Sequence, residues 1–207
     1  PDKFNMAIRV PIGVAGIVTP WNFPMAIPTW KIFPALLCGN TVVFKPASDT
    51  PATATSLVEI LLEAGVPEGV VNIVHGGGAH VGMAIVGHPD VDLISFTGST
   101  AVGKKISETA SATLKRVSLE LGGKNAQIVM DDADLHLALE GALWGAFGTT
   151  GQRCTATSRL ILHEKIHDKF LEMLVNRVKA LRLGDGLLPT TDVGPCVNEG
   201  QQSTVSK

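Results

Sequence analysis

Short apolar stretches alternate with longer amphipathic ones through the first part of the sequence, and this alternation constrains the fold more than any other feature. An apolar run of about five residues is typical of a buried strand, and a longer stretch with one apolar face is typical of a helix. The predicted strands span 14–18, 41–45, 70–74, 92–96 and 116–120. The predicted helices span 25–37, 51–65, 81–86 and 99–110. Because buried strands joined by helices form a parallel sheet covered on both faces, the sequence predicts an α/β fold.

The alternation starts again after Gly122 and Gly123. A strand is predicted at 126–130, followed by a helix that ends at Phe147, a strand at 159–162 and a helix at 166–181. The two glycines therefore separate a first set of elements from a second, shorter set.

Composition excludes several classes of protein. Hydrophobic residues make up 45% of the 207 residues and charged residues 17%, which is typical of a folded chain. The net charge of −2 and the lack of a basic run predict neither a nucleic-acid nor a membrane partner. Three scattered cysteines indicate a reducing compartment, and we expect a cytoplasmic protein. Because the chain begins with Pro1 rather than methionine, we also expect an internal piece of a longer protein.

Cys154 lies among small and polar residues, in Gly-Thr-Thr-Gly-Gln-Arg-Cys-Thr, a composition typical of a loop. A free cysteine is more often a buried core residue than a nucleophile, but a thiol on such a loop can meet a substrate. The neighbouring Arg153 would favour the thiolate. Cys38 follows an apolar helix and is predicted to be buried, and Cys196, in a Gly-Pro turn, is assigned no role.

Two further residues are candidates for catalysis. Glu120 ends a predicted strand in Leu-Glu-Leu-Gly-Gly-Lys-Asn, and partly apolar surroundings suit a carboxylate that acts as a general base. Asn22 lies between Pro20 and Pro24. Asparagine is common in turns, but an amide held between two prolines also suits a preorganised donor to an oxyanion.

Other polar residues follow the ends of predicted strands. Lys45 and Ser48 lie just past the strand at 41–45, where open α/β sheets bind ligands, although an exposed lysine is also common there. Ser99 lies between a strand and a helix, where it caps the helix or where backbone N–H groups bind a pyrophosphate. No Gly-x-Gly-x-x-Gly occupies the first strand–helix turn, so an ordinary dinucleotide fold is not predicted.

Five segments, in this order along the chain, resemble the NAD(P)-dependent aldehyde dehydrogenase superfamily. These segments are 20–24, 44–51, 96–103, 119–125 and 147–158. The resemblance, which extends from about Val14 to Pro195, implies a Rossmann-like cofactor-binding domain at 1–121. The first part of an α/β catalytic domain would follow at 122–207. It also implies that Cys154 is the nucleophile, that Glu120 activates the water that hydrolyses a thioester, and that Asn22 binds the oxyanion.

The resemblance further implies a cofactor, NADP or NAD. In the superfamily the lysine at position 45 contacts the adenosine ribose, and members that prefer NAD often have a glutamate at position 48. A glutamate repels a 2′-phosphate, so Ser48 favours NADP or the use of both cofactors. The implied cofactor-binding residues are Thr19, Trp21, Lys45, Ser48, Gly78, Gly82, Phe96, Gly98, Ser99 and Leu121.

The implied reaction oxidises a small-molecule aldehyde to a carboxylic acid. Superfamily members are more than twice this length and are expected to be homo-oligomers, with the segment that grips the nicotinamide ribose outside this chain. Two alternatives stay open: release of the acyl group to coenzyme A or phosphate, against which Glu120 argues, and a fragment that only binds nucleotide or another protein. A thiol-dependent hydrolase would need a histidine near Cys154, and none is close in sequence.

The run from His163 to His167 fits the His-Glu-x-x-His pattern of zinc proteases. That pattern requires both histidines on one helical face, whereas the predicted elements place His163 at a strand end and His167 in a helix. We therefore predict that no metal is bound, and we interpret the acidic residues at 131–134 as helix caps.

Overall fold

One compact unit ends at Leu121 and a second begins at Gly122. The computed structural model describes residues 2–206. The strands of the first unit are β1 (Val14–Val18), β2 (Thr41–Lys45), β3 (Val71–Ile73), β4 (Leu93–Gly98) and β5 (Arg116–Leu121). Its helices are α1 (Ala26–Leu37), α2 (Pro51–Glu63), α3 (Met83–Gly87) and α4 (Thr100–Ser111). A π-helical turn (Gly78–Gly82) precedes α3.

Strands β1 to β5 form one parallel sheet in the order β3-β2-β1-β4-β5. Val14 of β1 pairs with Thr41 of β2, and Ala15 of β1 pairs with Leu93 of β4. The order reverses beside β1, because the chain builds outward to β3 and then returns to place β4 on the other side. The predicted α/β fold with a parallel sheet is confirmed.

Helices cover both faces of this sheet. Successive side chains of a strand point to opposite faces, so a strand buried on both sides must be apolar throughout. Ile17 of β1 packs in a cluster with Ile32 of α1 and Leu57 of α2. The next residue, Val18, belongs to a different cluster, which includes Ile106 of α4. This two-sided burial explains why the central strands read as short apolar runs in the sequence.

The second unit contains a two-stranded parallel sheet and three helices. Its strands are β6 (Asn125–Val129) and β7 (Thr157–Leu162). Its helices are α5 (Leu135–Phe147), α6 (His167–Lys179) and α7 (Glu199–Val205), and 3₁₀ turns span Gly148–Gly151 and Glu164–Ile166. Val129 of β6, Leu139 of α5 and Phe170 of α6 form its core.

Several elements differ from the predicted ones. Helix α1 is continuous although it contains Pro28 and Pro34. Pro28 lies in the first turn, where a missing N–H has no intrahelical partner. Helix α6 begins at His167 because a 3₁₀ turn precedes it, and it ends at Lys179 instead of residue 181. Helix α7 was not predicted, because its residues are mostly polar and show no apolar face.

Cys38 is exposed, which corrects the prediction of a buried residue. Helix α1 ends just before it, at Leu37, which is itself 90% exposed, although the preceding Leu36 still packs against the core around Ile32. No helix within residues 2–206 has the length and apolar character needed to cross a bilayer.

Candidate active site

The loop that carries Cys154 begins in an unusual backbone conformation. After α5, the 3₁₀ turn has three consecutive residues with positive φ: Thr149 at 52°, Thr150 at 59° and Gly151 at 65°. Glycine adopts this region without strain, but a β-branched residue does so at a cost of about 1–2 kcal/mol. Strain of this kind persists only where surrounding contacts enforce it, and it is concentrated at functional sites. Cys154, three residues further on, is exposed.

Asn125 fixes the loop from one side. Its Nδ2 donates hydrogen bonds to the backbone oxygens of Cys154 at 2.7 Å and Ala156 at 3.2 Å. Asn125 lies opposite Thr157, but the register shifts before the next pair of β6 and β7. This irregularity leaves the Asn125 amide directed at the loop carbonyls, which it holds in a fixed orientation next to the thiol.

A second segment holds the loop through residues 150 and 152. The Thr150 hydroxyl donates to the Gly194 carbonyl at 3.1 Å. The Gln152 side chain accepts from the N–H of Val197 at 3.0 Å and donates to the Pro195 carbonyl at 3.4 Å. These contacts join positions more than forty residues apart in sequence, and they supply the restraint that the strained turn requires.

Arg153 makes contacts that the sequence did not predict. Its Nη2 donates to the carbonyl oxygens of Trp144 at 2.6 Å and Gly145 at 3.1 Å, and its guanidinium lies over the Trp144 ring, 4.8 Å from the centroid. These oxygens lie in the last turn of α5, at the end of the helix whose dipole attracts cations, and the Trp144 oxygen also accepts from the Gly148 N–H. Arg153 therefore caps α5, and its contacts give no support to the prediction that it favours a Cys154 thiolate.

Glu120 pairs with Thr97 near the carboxyl end of β5. Its side chain is exposed, which corrects the prediction of partly apolar surroundings. The neighbouring Leu119 and Leu121 are partly buried and pack against the core on the other face, because side chains alternate along a strand.

Lys31 is a charged residue near Glu120 that the sequence analysis missed. Its Nζ donates to the Ser95 hydroxyl of β4 at 2.9 Å. Burial lowers the pKa of Lys31, and the Glu120 carboxylate is close enough to offset part of this effect. The sequence does contain a sign of this contact, which is a lysine inside the apolar helix α1. Because burying a charge is costly without a partner, such a lysine indicates a polar or charged neighbour.

Several candidate cofactor residues meet at the carboxyl edge of the first sheet. Thr19 follows β1, Lys45 ends β2 and Gly98 ends β4. The Thr19 N–H donates to the Lys45 carbonyl at 3.2 Å. The Thr19 hydroxyl is buried and has no hydrogen-bond partner among the described residues. Ligands of open α/β sheets bind at this edge, and an unpartnered buried hydroxyl there suits a ligand contact.

Lys45 is almost completely buried, at 3% exposure, and its burial lowers its pKa. Its Nζ donates to the Pro46 carbonyl at 2.6 Å. A Cβ added to Gly82 would lie 3.7 Å from the Lys45 side chain, so the two positions are adjacent. Ser48 is exposed and donates to the Gly76 carbonyl at 3.4 Å.

The remaining predicted residues occupy different environments. Ser99 caps α4 by accepting from the Val102 N–H at 3.3 Å. The Phe96 side chain is buried in the core, so only its backbone is available to a ligand. The other predicted cofactor residues lie near strand or helix ends: Trp21, Gly78 and Leu121. Asn22, in the turn between β1 and α1, is partly buried. Asn22 and Glu120 belong to the first unit, and Cys154 belongs to the second.

The two histidines of the His-Glu-x-x-His run make separate local contacts. His163 Nδ1 accepts from the Lys165 N–H at 3.3 Å, and His167 Nδ1 lies 2.8 Å from a carboxylate oxygen of Asp168. Within the described part of the chain, no three histidine, cysteine or acidic side chains are grouped as a metal site requires.

Comparison with known proteins identifies relatives over the whole chain. The model of the aldehyde dehydrogenase family matches residues 1–207. The chain is 48% identical over 207 residues to betaine aldehyde dehydrogenase of Bacillus subtilis, covering 100% of this chain and 42% of that protein. It is 50% identical over 203 residues to 2,5-dioxopentanoate dehydrogenase of Saccharolobus solfataricus, covering 97% of this chain and 42% of that protein.

Solved structures give the same result. The structure of betaine aldehyde dehydrogenase from Staphylococcus aureus with NAD+ superposes with a TM-score of 0.92 at 42% identity, covering 94% of this chain and 39% of that one. The structure of PnpE with nicotinamide adenine dinucleotide superposes with a TM-score of 0.93 at 48% identity, covering 95% of this chain and 40% of that one. The chain thus spans about two fifths of the length of these relatives. It belongs to the aldehyde dehydrogenase family.

Proposed function

We propose that this chain is part of an enzyme that oxidises an aldehyde to a carboxylic acid with NAD or NADP. The observation that carries the proposal is the Cys154 loop, in which an exposed thiol lies between hydrogen-bonded anchors. A strained and multiply anchored turn next to a reactive atom is the expected form of a preorganised nucleophile. The family match over the whole chain supports the same chemistry.

In the proposed mechanism, the Cys154 thiolate attacks the carbonyl carbon of the aldehyde and forms a thiohemiacetal. The Asn22 amide and the Cys154 N–H donate hydrogen bonds to the oxyanion. A bound nicotinamide would accept the hydride that departs from the former carbonyl carbon. Loss of this hydride converts the thiohemiacetal into a thioester of Cys154. Glu120 then takes a proton from water, and the hydroxide attacks the thioester, releases the carboxylic acid and restores the thiolate.

The carboxyl edge of the first sheet is the proposed site of the adenosine half of the cofactor. Three observations support it: the Thr19 hydroxyl, which no described residue pairs with, the buried amine of Lys45 and the open backbone around Gly78. Helix α4 begins at this edge, and the N–H groups that precede Val102 would bind a pyrophosphate. Relatives of known structure contain NAD+, which matches the general nature of the ligand.

The finer choice between the two cofactors is proposed from Ser48. Its hydroxyl is exposed at the carboxyl edge and carries no charge. A serine at this position accommodates a 2′-phosphate, so we expect the enzyme to use NADP or both cofactors.

Other features of the complete enzyme follow from the family. We propose that residues up to 121 form the larger part of the cofactor domain and that residues 122–207 open the catalytic domain. A homo-oligomer in the cytoplasm is proposed for the complete protein. The named substrates of the relatives differ, including betaine aldehyde and 2,5-dioxopentanoate, so the proposal is limited to an aldehyde.

An assay of the complete enzyme and of the 207-residue chain tests this proposal. The complete enzyme should reduce NAD+ or NADP+ in the presence of a simple aldehyde. The chain alone should show little activity, because hydride transfer requires tight positioning of the nicotinamide and the segment expected to grip its ribose lies outside this chain. A complete enzyme that oxidises none of a broad panel of aldehydes would contradict the proposal.

A further inference from the structure

His75 lies directly after β3, at the same edge of the sheet as Ser48. The Val74 N–H donates to the Phe44 carbonyl at 2.8 Å, so β2 and β3 stay paired up to the residue before His75. The Ser48 hydroxyl donates to the carbonyl of Gly76, the residue after His75. The segments that follow β2 and β3 are therefore tied together next to His75.

The contact of His75 with Thr55 fits one arrangement of hydrogens. The Thr55 hydroxyl donates its single hydrogen to the Pro51 carbonyl, one turn earlier in α2, at 3.0 Å. Thr55 Oγ1 also lies 3.1 Å from Nε2 of His75. Since the hydroxyl has no second hydrogen, its oxygen is the acceptor in this contact and Nε2 is the donor. In a ring that carries both hydrogens, Nδ1–H is then the donor that stays available to a ligand.

We infer that His75 is a specificity-determining residue that binds, together with Ser48, the 2′-phosphate of NADP. The inference rests on the proposed function, which places the adenosine ribose beside Ser48. A phosphate monoester carries nearly two negative charges near neutral pH, so an Nδ1–H donor forms a charge-assisted hydrogen bond with it. The 2′-hydroxyl of NAD gains no such bond.

The surroundings of His75 leave room for this ligand. The His75 side chain is exposed. A Cβ added to Gly77 or Gly78 would meet no atom within 4 Å, so the backbone that follows His75 is open to an approaching group. The contact with Thr55 holds the imidazole ring in place, which lowers the entropic cost of binding.

Binding of two small probes tests this inference. The complete enzyme is titrated with 5′-AMP and with 2′,5′-ADP, which differ only in the 2′-phosphate, in the wild-type and His75→Gln forms. Glutamine keeps an amide donor for Thr55 but cannot become a cation. We expect wild type to bind 2′,5′-ADP more tightly, and His75→Gln to lose roughly tenfold in affinity for it with little change for 5′-AMP.

Two further variants serve as controls. His88→Gln removes the same kind of side chain just before β4, at the opposite edge of the sheet, and should leave both affinities unchanged. His75→Arg keeps a cation and should retain the preference for 2′,5′-ADP. A folded His75→Arg variant without that preference would contradict the inference, even if His75→Gln does not fold.

The possible results distinguish the role of His75 from the proposed NADP preference on which it rests. If wild type binds 2′,5′-ADP no better than 5′-AMP, the proposed NADP preference is wrong, and the inference is wrong with it. If wild type prefers 2′,5′-ADP and His75→Gln keeps the full preference, the role of His75 is wrong while that of Ser48 stands.

Discussion

The side-chain amide of Asn125, at the start of β6, donates a hydrogen bond of 2.7 Å to the backbone carbonyl of Cys154. A second bond, to the Ala156 carbonyl, fixes the peptide groups on the far side of the thiol. The residue proposed as nucleophile is thus oriented by a side chain 29 positions earlier in the sequence, and the geometry of the loop depends on that contact.

Replacing Asn125 with alanine should loosen this loop. Loss of two hydrogen bonds is expected to cost about 1–2 kcal/mol in the free energy of unfolding. Amide hydrogen exchange at Thr155 and Ala156 should accelerate by more than the global destabilisation explains. Gln127→Ala is the matched control, because Gln127 lies in the same strand and donates to the Ala138 carbonyl of α5. Equal exchange rates in the two variants would contradict the role assigned to Asn125.

The Lys31 side chain should respond to the charge of Glu120. Burial lowers the pKa of Lys31 below 10.5 and Glu120 raises it again in part, so Glu120→Gln should lower the Lys31 pKa further. Titration of the Lys31 side-chain NMR signals measures this directly. Lys45, whose pKa is lowered by burial alone, should titrate unchanged in the same variant. An unchanged Lys31 pKa would show that the two groups do not interact.

The lowered pKa of Lys31 also predicts how the free energy of unfolding depends on pH. Between the lowered pKa of folded Lys31 and the value of 10.5 in the unfolded chain, the unfolded state binds more protons. The contribution of Lys31 to stability therefore rises with pH across this window. Denaturation of wild type and Lys31→Met at several pH values checks the sign, since the variant should lack that rise.

Cofactor choice should depend on position 48. In the complete enzyme, Ser48→Glu should shift preference toward NAD, because a carboxylate accepts hydrogen bonds from both ribose hydroxyls and repels a 2′-phosphate. The measurement is the ratio of kcat/KM for NADP over NAD in the two forms. A ratio unaffected by the change would mean that Ser48 does not face the ribose.

The sequence predicted the first sheet well for a physical reason. Strands β1 and β2 match their predicted bounds, because central strands of a covered parallel sheet are apolar on both faces and stand out from the surrounding turns. Edge strand β3 is shorter than predicted, and β4 extends two residues further, through Gly98. The last residues of a strand depend on hydrogen bonds to the neighbouring strand, and the local sequence does not show where that pairing stops.

The candidate site was predictable only in part. Family resemblance points to Cys154 and Glu120, but the contacts that position side chains near them join residues far apart in sequence. The Lys31–Ser95 contact spans 64 positions, and the contacts of Arg153 depend on how the loop places it against the last turn of α5. Exposure is also a tertiary property, which explains why both Cys38 and Glu120 were misjudged.

Glu120 can be tested separately as the base for thioester hydrolysis. In the complete enzyme, Glu120→Gln should leave acylation intact and slow deacylation, so a rapid burst of reduced cofactor should precede a slow steady state. Stopped-flow absorbance resolves the two phases. Wild-type turnover without a burst would remove Glu120 from the mechanism.

In the proposed mechanism Cys154 forms the covalent intermediate, and the Cys154→Ala variant of the complete enzyme is the decisive test of that role. The measurement is kcat for aldehyde oxidation together with the dissociation constant of the cofactor. We predict that kcat falls by roughly a thousandfold or more, because hydride transfer requires the thiohemiacetal, while the cofactor binds as in wild type. Near-normal turnover in the Cys154→Ala variant would contradict it.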